Sequence, residues 1–298
     1  MFKVIIPNLV TFDTDLNELP SFVMCEDFNF FSPSIARAKF HYQIICSDKI
    51  ETPKKWTFRS EYTFWEDGKY FYSRKFLFWN PTLCYDPVKK SILINNDYLR
   101  LPFHIGGIPT VGETISGLIE LDLMLDGVLI LRGIAFSRVG EVIAISSPGF
   151  NGKTTFLKEE VMHGSKYVAE DYLILGVEDE MVYPSCPLTK ERWWRARGID
   201  RRMKNLFNEN NVISSPTRYK RLIFLENLKS SDKVGSKKTI DDYLLLNSMF
   251  FMSNYFVRSY IFDQSKGRLV YEKIHFFVKK LMNSEILMIA NYGYKDIL

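Results

Sequence analysis

The sequence predicts an α/β protein (α+β overall). A β-rich amino-terminal domain, residues 1–110, precedes a second domain, residues 111–298, built around a phosphate-binding loop. Three observations carry this prediction. Short alternating apolar runs separated by turn signals fill roughly the first 105 residues. The stretch Glu141 to Thr155 runs from an apolar strand through a turn-rich glycine loop into a helix-compatible segment. Beyond it, helical segments alternate with buried strands, as in an α/β sheet.

Composition sets the outer limits. Of the 298 residues, 46% are hydrophobic and 15% aromatic, enough for a substantial core and too many for a disordered chain. A net charge of +4 is too weak to point to nucleic acid as a partner. Cys25, Cys46, Cys84 and Cys186 are widely spaced, which reads as buried thiols in a reducing compartment rather than a zinc site or disulfide frame. His41, His104, His163 and His275 show no ligand spacing either. Met1 to Pro7 lacks the apolar core of a signal peptide, and charges break every long apolar stretch, so the expectation is a cytoplasmic protein without a membrane partner.

In the first half, Ala38–Cys46 and Lys69–Trp79 read as strands. Glu66-Asp67-Gly68 is a hairpin turn, and Asp86 to Lys90 is a second that returns Ser91–Asn95 onto Pro81–Tyr85. This half shows no chemistry of its own and serves as a packing domain or as a docking surface for a substrate or partner. The glycine-rich segment Phe103–Gly112 links the halves, and a helix over Glu113–Leu131 comes next. Val177 to Glu180 turns the chain into a short return strand, Met181–Pro184. Arg221–Asn227 is a buried strand between the polar stretches Asn208–Arg218 and Ser230–Lys238. Ile240–Phe251 and Gly267–Met282 suit helices, and Ile286–Ala290 is a last strand.

The chemistry concentrates in Gly152-Lys153-Thr154 and in the strand downstream of its helix. In a strand–loop–helix context, the amides of Gly149, Phe150, Asn151, Gly152, Lys153, Thr154 and Thr155 and the positive helix end face nucleotide phosphates. Lys153 neutralises β- and γ-phosphate oxygens, and the Thr154 hydroxyl ligates Mg²⁺. Ser147 stands where the full loop pattern has its first glycine. Downstream, the apolar strand Tyr167–Leu175 is interrupted by Glu170 and Asp171, and carboxylates there are costly unless paired or engaged with metal. Strand neighbours point to opposite faces, so the two acids divide the work: one toward Mg²⁺ near Thr154, the other toward the proton of an attacking hydroxyl. Further on lies a basic run, Lys190, Arg192, Arg195, Arg197, Arg201, Arg202 and Lys204 with Trp193 and Trp194. It reads either as a solvated helix face or as a partner for phosphates or an acidic substrate.

Lys153-Thr154, the helix after it, Gly164 and Val168-Ala169-Glu170-Asp171 resemble the catalytic domain of HPr kinase/phosphorylase and its relatives, which include serine kinases of peptide precursors such as the lasso-peptide kinases. The resemblance covers residues 115 to 190, and the C-terminal hundred in outline. It implies a helix over Leu121–Leu131 and a hairpin over Ala135–Ile145 that turns at Val139-Gly140. It also implies ATP and Mg²⁺ as cofactors, Glu170 as base, Asp171 with Thr154 at the metal, and a hydroxyl acceptor: a serine of a peptide or protein, or a small molecule. A homo-oligomer is compatible with it. Where the family has a histidine, this chain has Arg132, which cannot act as a base but can hold a phosphate oxygen bidentately. The phosphorylase direction is therefore not implied. Ser147 and Arg132 support a rival reading, a nucleotide or phosphopeptide binder without turnover. A phosphoenolpyruvate carboxykinase-like enzyme ranks last, since no histidine–lysine metal pair precedes the loop.

Overall fold

The computed structural model describes residues 2–16, 31, 38–54, 58–60, 63–66, 68–75, 77–100, 108–146, 152–185, 210–225, 264–282 and 287–290. The expected glycine-rich link over 103–107, the basic run over 190–204, the polar stretch 230–238 and the helix over 240–251 lie outside these residues. So do Cys25 and Cys186. The described chain is mixed α/β, mostly strand, with two sheets and a few helices. It divides into two compact units. One comprises Met1–Met24, Phe28–Asp122 and Phe251–Tyr271; the other comprises Cys25–Asp27, Leu123–Phe250 and Glu272–Leu298. The line between them falls inside a helix, at Asp122/Leu123, whereas the sequence reading draws it at 110. No described helix is long and apolar enough to cross a membrane.

The first unit holds an eight-stranded sheet. Its strands are β1 (Phe2–Ile6), β2 (Val10–Thr14), β3 (Phe40–Ser47), β4 (Phe58–Ser60), β5 (Thr63–Glu66), β6 (Lys69–Ser73), β7 (Thr82–Asp86) and β8 (Ser91–Asn95), in the order β1-β2-β3-β8-β7-β6-β5-β4. The β2/β3 and β3/β8 pairs are parallel and the others antiparallel. Both predicted hairpins form. Glu66 pairs with Lys69, and Gly68 takes the left-handed conformation (φ 71°) that the tight turn needs. In the second, Asp86 Oδ1 accepts the Val88 and Lys89 amides at 3.1 and 3.0 Å, an Asx turn that brings Ser91 back opposite Asp86. The strand expected over Lys69–Trp79 stops at Ser73; the chain turns at Leu77 and Phe78, with Leu77 at φ 55°, to lay β7 beside β6.

Asn95 caps the short helix α1 (Asn96–Leu99). Helix α2 (Val111–Leu125) opens on a capping box: Glu113 Oε2 accepts the Thr110 amide at 2.8 Å, and Thr110 Oγ1 accepts the Glu113 amide at 3.3 Å. It ends six residues before the expected Leu131. Gly127 turns left-handed (φ 94°), and Val128–Leu131 pairs as a strand instead. An unbroken apolar run has no period to separate helix from strand, which is why the sequence misleads there.

One polar network ties α2 to the first sheet. Asp122, 7% exposed, accepts the Tyr42 hydroxyl at 2.7 Å and the Tyr85 hydroxyl, and lies 2.7 Å from Lys90 Nζ. Burial and the neighbouring Asp122 carboxylate push the Tyr85 phenol far above its usual range, so it stays a donor. Glu120, two residues earlier on the helix, is also buried but differently placed. Its Oε2 has no hydrogen-bond partner among the described residues, and burial alone holds its carboxyl well above the usual 4.5.

Removing the Asp122 carboxylate takes the shared acceptor from a lysine and two phenols, so Asp122→Ala should lower unfolding free energy by about 3 kcal/mol in urea titrations. Glu120 behaves oppositely. Its folded pKa lies above the unfolded one, so its penalty is absent below about pH 4.5 and grows as pH rises toward the folded value. The stability difference between Glu120→Gln and wild type should therefore shift in the variant's favour as pH rises above about 4.5, by up to about 1.4 kcal/mol per pH unit.

Candidate functional site

The second unit is organised around β9 (Val128–Arg138), which lies between β10 (Glu141–Ser146) and β11 (Lys166–Gly176), antiparallel to both. Arg138 faces Glu141 across a two-residue turn in which Val139 (φ 52°) and Gly140 (φ 83°) are both left-handed, as a tight hairpin demands. Strand β12 (Met181–Tyr183) pairs with the end of β11, and β13 (Thr217–Leu225) pairs with β12, β10 and β14 (Leu287–Ala290). The pairings β13-β10-β9-β11-β12-β13 close a ring of five strands, with β14 attached through β13. The parallel pairs expected of an α/β sheet are β10/β13 and β13/β14.

A strand and a helix flank residues 147–151, the predicted loop, which lie outside the described residues. After β10, the chain enters helix α3 (Lys153–Met162), whose N-cap is Gly152 at φ 75° and ψ 14°. A left-handed N-cap without a side chain makes no side-chain cap bond to the first turn of the helix. Lys153, the first helical residue, is 8% exposed, unusual for a lysine. Thr154 is half-buried and Thr155 exposed. Gly149, Phe150 and Asn151, expected to contribute loop amides, lie outside the described residues.

The face that α3 covers is set by register. Phe156 of α3 meets Phe136 of β9 edge-on, with ring centroids 5.9 Å apart. Side chains alternate along a strand, so Ile134 and Arg132 share the face of Phe136. Opposite them on β11 stand Glu170 and Tyr172, which directly face Ile134 and Arg132. Arg132, half-buried, and Glu170, 2% exposed, therefore lie on the sheet face that carries α3. Asp171 belongs to the adjoining row, with Gly133 and Ser146. It departs from ordinary strand geometry with φ 61°. That left-handed conformation costs a non-glycine residue on the order of 1–3 kcal/mol and clusters at functional positions.

Two further residues support these positions, and neither gave a signal in the sequence. The Ser146 hydroxyl donates to the Arg132 carbonyl at 2.9 Å, joining the end of β10 to β9. Ser185, fully buried just past β12, accepts the Glu170 amide on its hydroxyl at 3.1 Å. A lone serine after Pro184 has no motif around it, and only the fold brings it to Glu170.

Oxygen donors dominate the site. A threonine hydroxyl and carboxylates are hard ligands, and Mg²⁺ typically takes one or two protein oxygens and fills its shell with water and phosphate. The residues present fit that ion better than zinc, which requires several nitrogen or sulfur ligands. Among the described residues no group of three or more His, Cys, Asp or Glu is arranged to hold a metal by itself.

No family model and no curated protein matches the chain. Among solved structures, it is similar to the HPr(Ser) kinase/phosphatase from Coxiella burnetii, at 17% identity and a TM-score of 0.27, over 36% of this chain and 69% of that one. A likeness of that degree decides nothing about activity.

The backbone at Asp171 yields a stability test independent of any ligand. A β-branched side chain suits a left-handed backbone worst and glycine suits it best. Asp171→Val should therefore unfold about 2 kcal/mol more readily than Asp171→Gly in urea titrations.

Proposed function

We propose that the chain is an ATP- and Mg²⁺-dependent kinase that transfers the γ-phosphoryl group to a hydroxyl acceptor, a serine of a peptide or protein in the first instance. One observation carries this reading: a left-handed glycine leads into a helix whose first residue is a buried lysine, and that helix covers the sheet face bearing Glu170. The motif resemblance in the sequence points the same way. On this reading residues 111–298 form the phosphoryl-transfer domain and residues 1–110 a separate β-rich domain.

Each residue then has a distinct task. The amides of α3's first turn and those at 149–152 bind phosphate oxygens, where the helix dipole favours negative charge. Lys153 holds the β- and γ-phosphates, and Arg132 holds a γ-phosphate oxygen as charge builds on the transferring group. Thr154 and Asp171 would hold Mg²⁺, which when bound neutralises charge on the phosphates. Glu170 takes the acceptor's proton as the acceptor oxygen bonds to the γ-phosphorus. The bond from that phosphorus to the β–γ bridging oxygen breaks, and ADP leaves with the electron pair. Such a base contributes roughly 10²–10⁴ in rate.

A second reading keeps the nucleotide site without turnover, and Ser147 in place of the loop glycine favours it. Titration calorimetry with ADP or a non-hydrolysable ATP analogue, with and without Mg²⁺, and slow ATP hydrolysis separate the two. The kinase reading expects Mg²⁺-dependent binding and measurable hydrolysis in wild type, with Lys153→Ala losing at least about tenfold in both. Tight binding with no hydrolysis and no transfer to serine peptides would favour the binder, and no binding by wild type would remove both readings.

A further inference from the structure

We infer that Ser185 is a positioning residue for Glu170, acting through that residue's main chain; the inference rests on the kinase reading above. A gap in the sheet makes the role possible. Strand β12 accompanies β11 only from Ile174 to Gly176, so on that edge Val168 to Glu170 have no partner from β12. Ser185 supplies contacts there instead. Its amide donates to the Val168 carbonyl at 3.1 Å, and its carbonyl accepts the Tyr167 hydroxyl at 2.9 Å. Its hydroxyl accepts the Glu170 amide at 3.1 Å and lies 3.5 Å from the Glu170 carbonyl oxygen.

The location gives these bonds their meaning. Between Tyr167 and Ala169 the register of β11 against β9 shifts by a bulge, a feature that re-aims side chains and recurs next to active sites. Immediately after Glu170 comes the left-handed Asp171. Glu170 thus sits between two irregularities of β11. A fully buried hydroxyl with one rotatable bond fixes the Glu170 amide at that point, and no backbone carbonyl of β12 stands ready to replace it. Misplacement of a catalytic group by about 1 Å can lower a rate by about a hundredfold, so a hydroxyl that sets the base's main chain can govern turnover without touching nucleotide.

The test compares wild type with Ser185→Ala and Ser185→Thr. Amide hydrogen exchange of the apoprotein is followed alongside the kcat, KM and pH profile of Mg²⁺-ATP hydrolysis. Ser185→Ala should speed exchange at the Glu170 amide at least about tenfold while Leu173 to Leu175 stay protected. It should lower kcat about tenfold or more at nearly constant KM for ATP, and move the acidic limb of the pH profile, which reports the base. Ser185→Thr, which keeps the hydroxyl, should restore most of both. Ser185→Cys keeps the volume with a weaker acceptor and gives the same contrast if the alanine variant does not fold. Unchanged kcat, or a rise in exchange spread evenly along β11, would overturn the role of Ser185 and leave the kinase reading standing. Absence of hydrolysis and of nucleotide binding in wild type would overturn that reading and this one with it.

Discussion

Gly133 sets the spacing on which the site depends. A Cβ there would lie 2.5 Å from the Ile145 carbonyl oxygen and 2.9 Å from Leu173 Cδ2, so β9 fits between β10 and β11 only without a side chain at this position. Ser146, at the mouth of the loop, and Asp171 are both opposite Gly133. One residue along, Ile134 faces both Ile145 and Glu170. A slip of one residue in the β9/β11 pairing would carry Glu170 to the face opposite Arg132 and Phe136. The close contact at Gly133 fixes the register, the register selects the face, and the face decides which acid shares a side of the sheet with Lys153.

Much of this arrangement was legible in the residues themselves. The strand and the helix reflect the apolar run Val142–Ile145 and the helix formers after Thr155. The hairpins at Gly68, Asp86 and Val139-Gly140 arise from local turn preferences, and Val139 shows how far tertiary pairing can hold a β-branched residue against its own preference. The hidden part was non-local. Val128-Leu129-Ile130-Leu131 is equally apolar as helix or strand, and Gly127 together with pairing to β11 decides between them. The bulge before Glu170, the left-handed Asp171 and the hydroxyl of Ser185 arise from strands that meet only after folding. No spacing in the chain encodes them. Nor did the acids' spacing alone reveal which one shares the face of α3, because that depends on a distant partner, Ile134.

The first unit handles two buried acids of one helix in opposite ways. Asp122 is satisfied by two phenols and an ammonium group, so its charge helps specify how α2 docks on β3, β7 and the turn before β8. Glu120 is buried with one oxygen lacking a partner among the described residues, and burial raises its carboxyl well above its usual range. The same helix therefore carries one carboxylate held by three donors and another carboxyl whose ionisation burial opposes.

The five-strand ring is fastened by its shortest member. β12 meets β13 through only Met181 and Val182, which face Arg218 and Thr217. Beside that seam the Tyr219 amide donates to the Glu180 carbonyl at 3.0 Å, and Arg218 Nε donates to the Glu180 carboxylate at 3.0 Å. Arg218 is largely solvent-exposed, so dissolved ions screen its attraction to Glu180. The clasp thus includes a salt-sensitive contact, as does the β13/β10 seam, where exposed Lys220 meets Glu141, whereas the long β9 ladders carrying the acids and the loop strand rest on buried backbone pairing that electrolyte scarcely reaches.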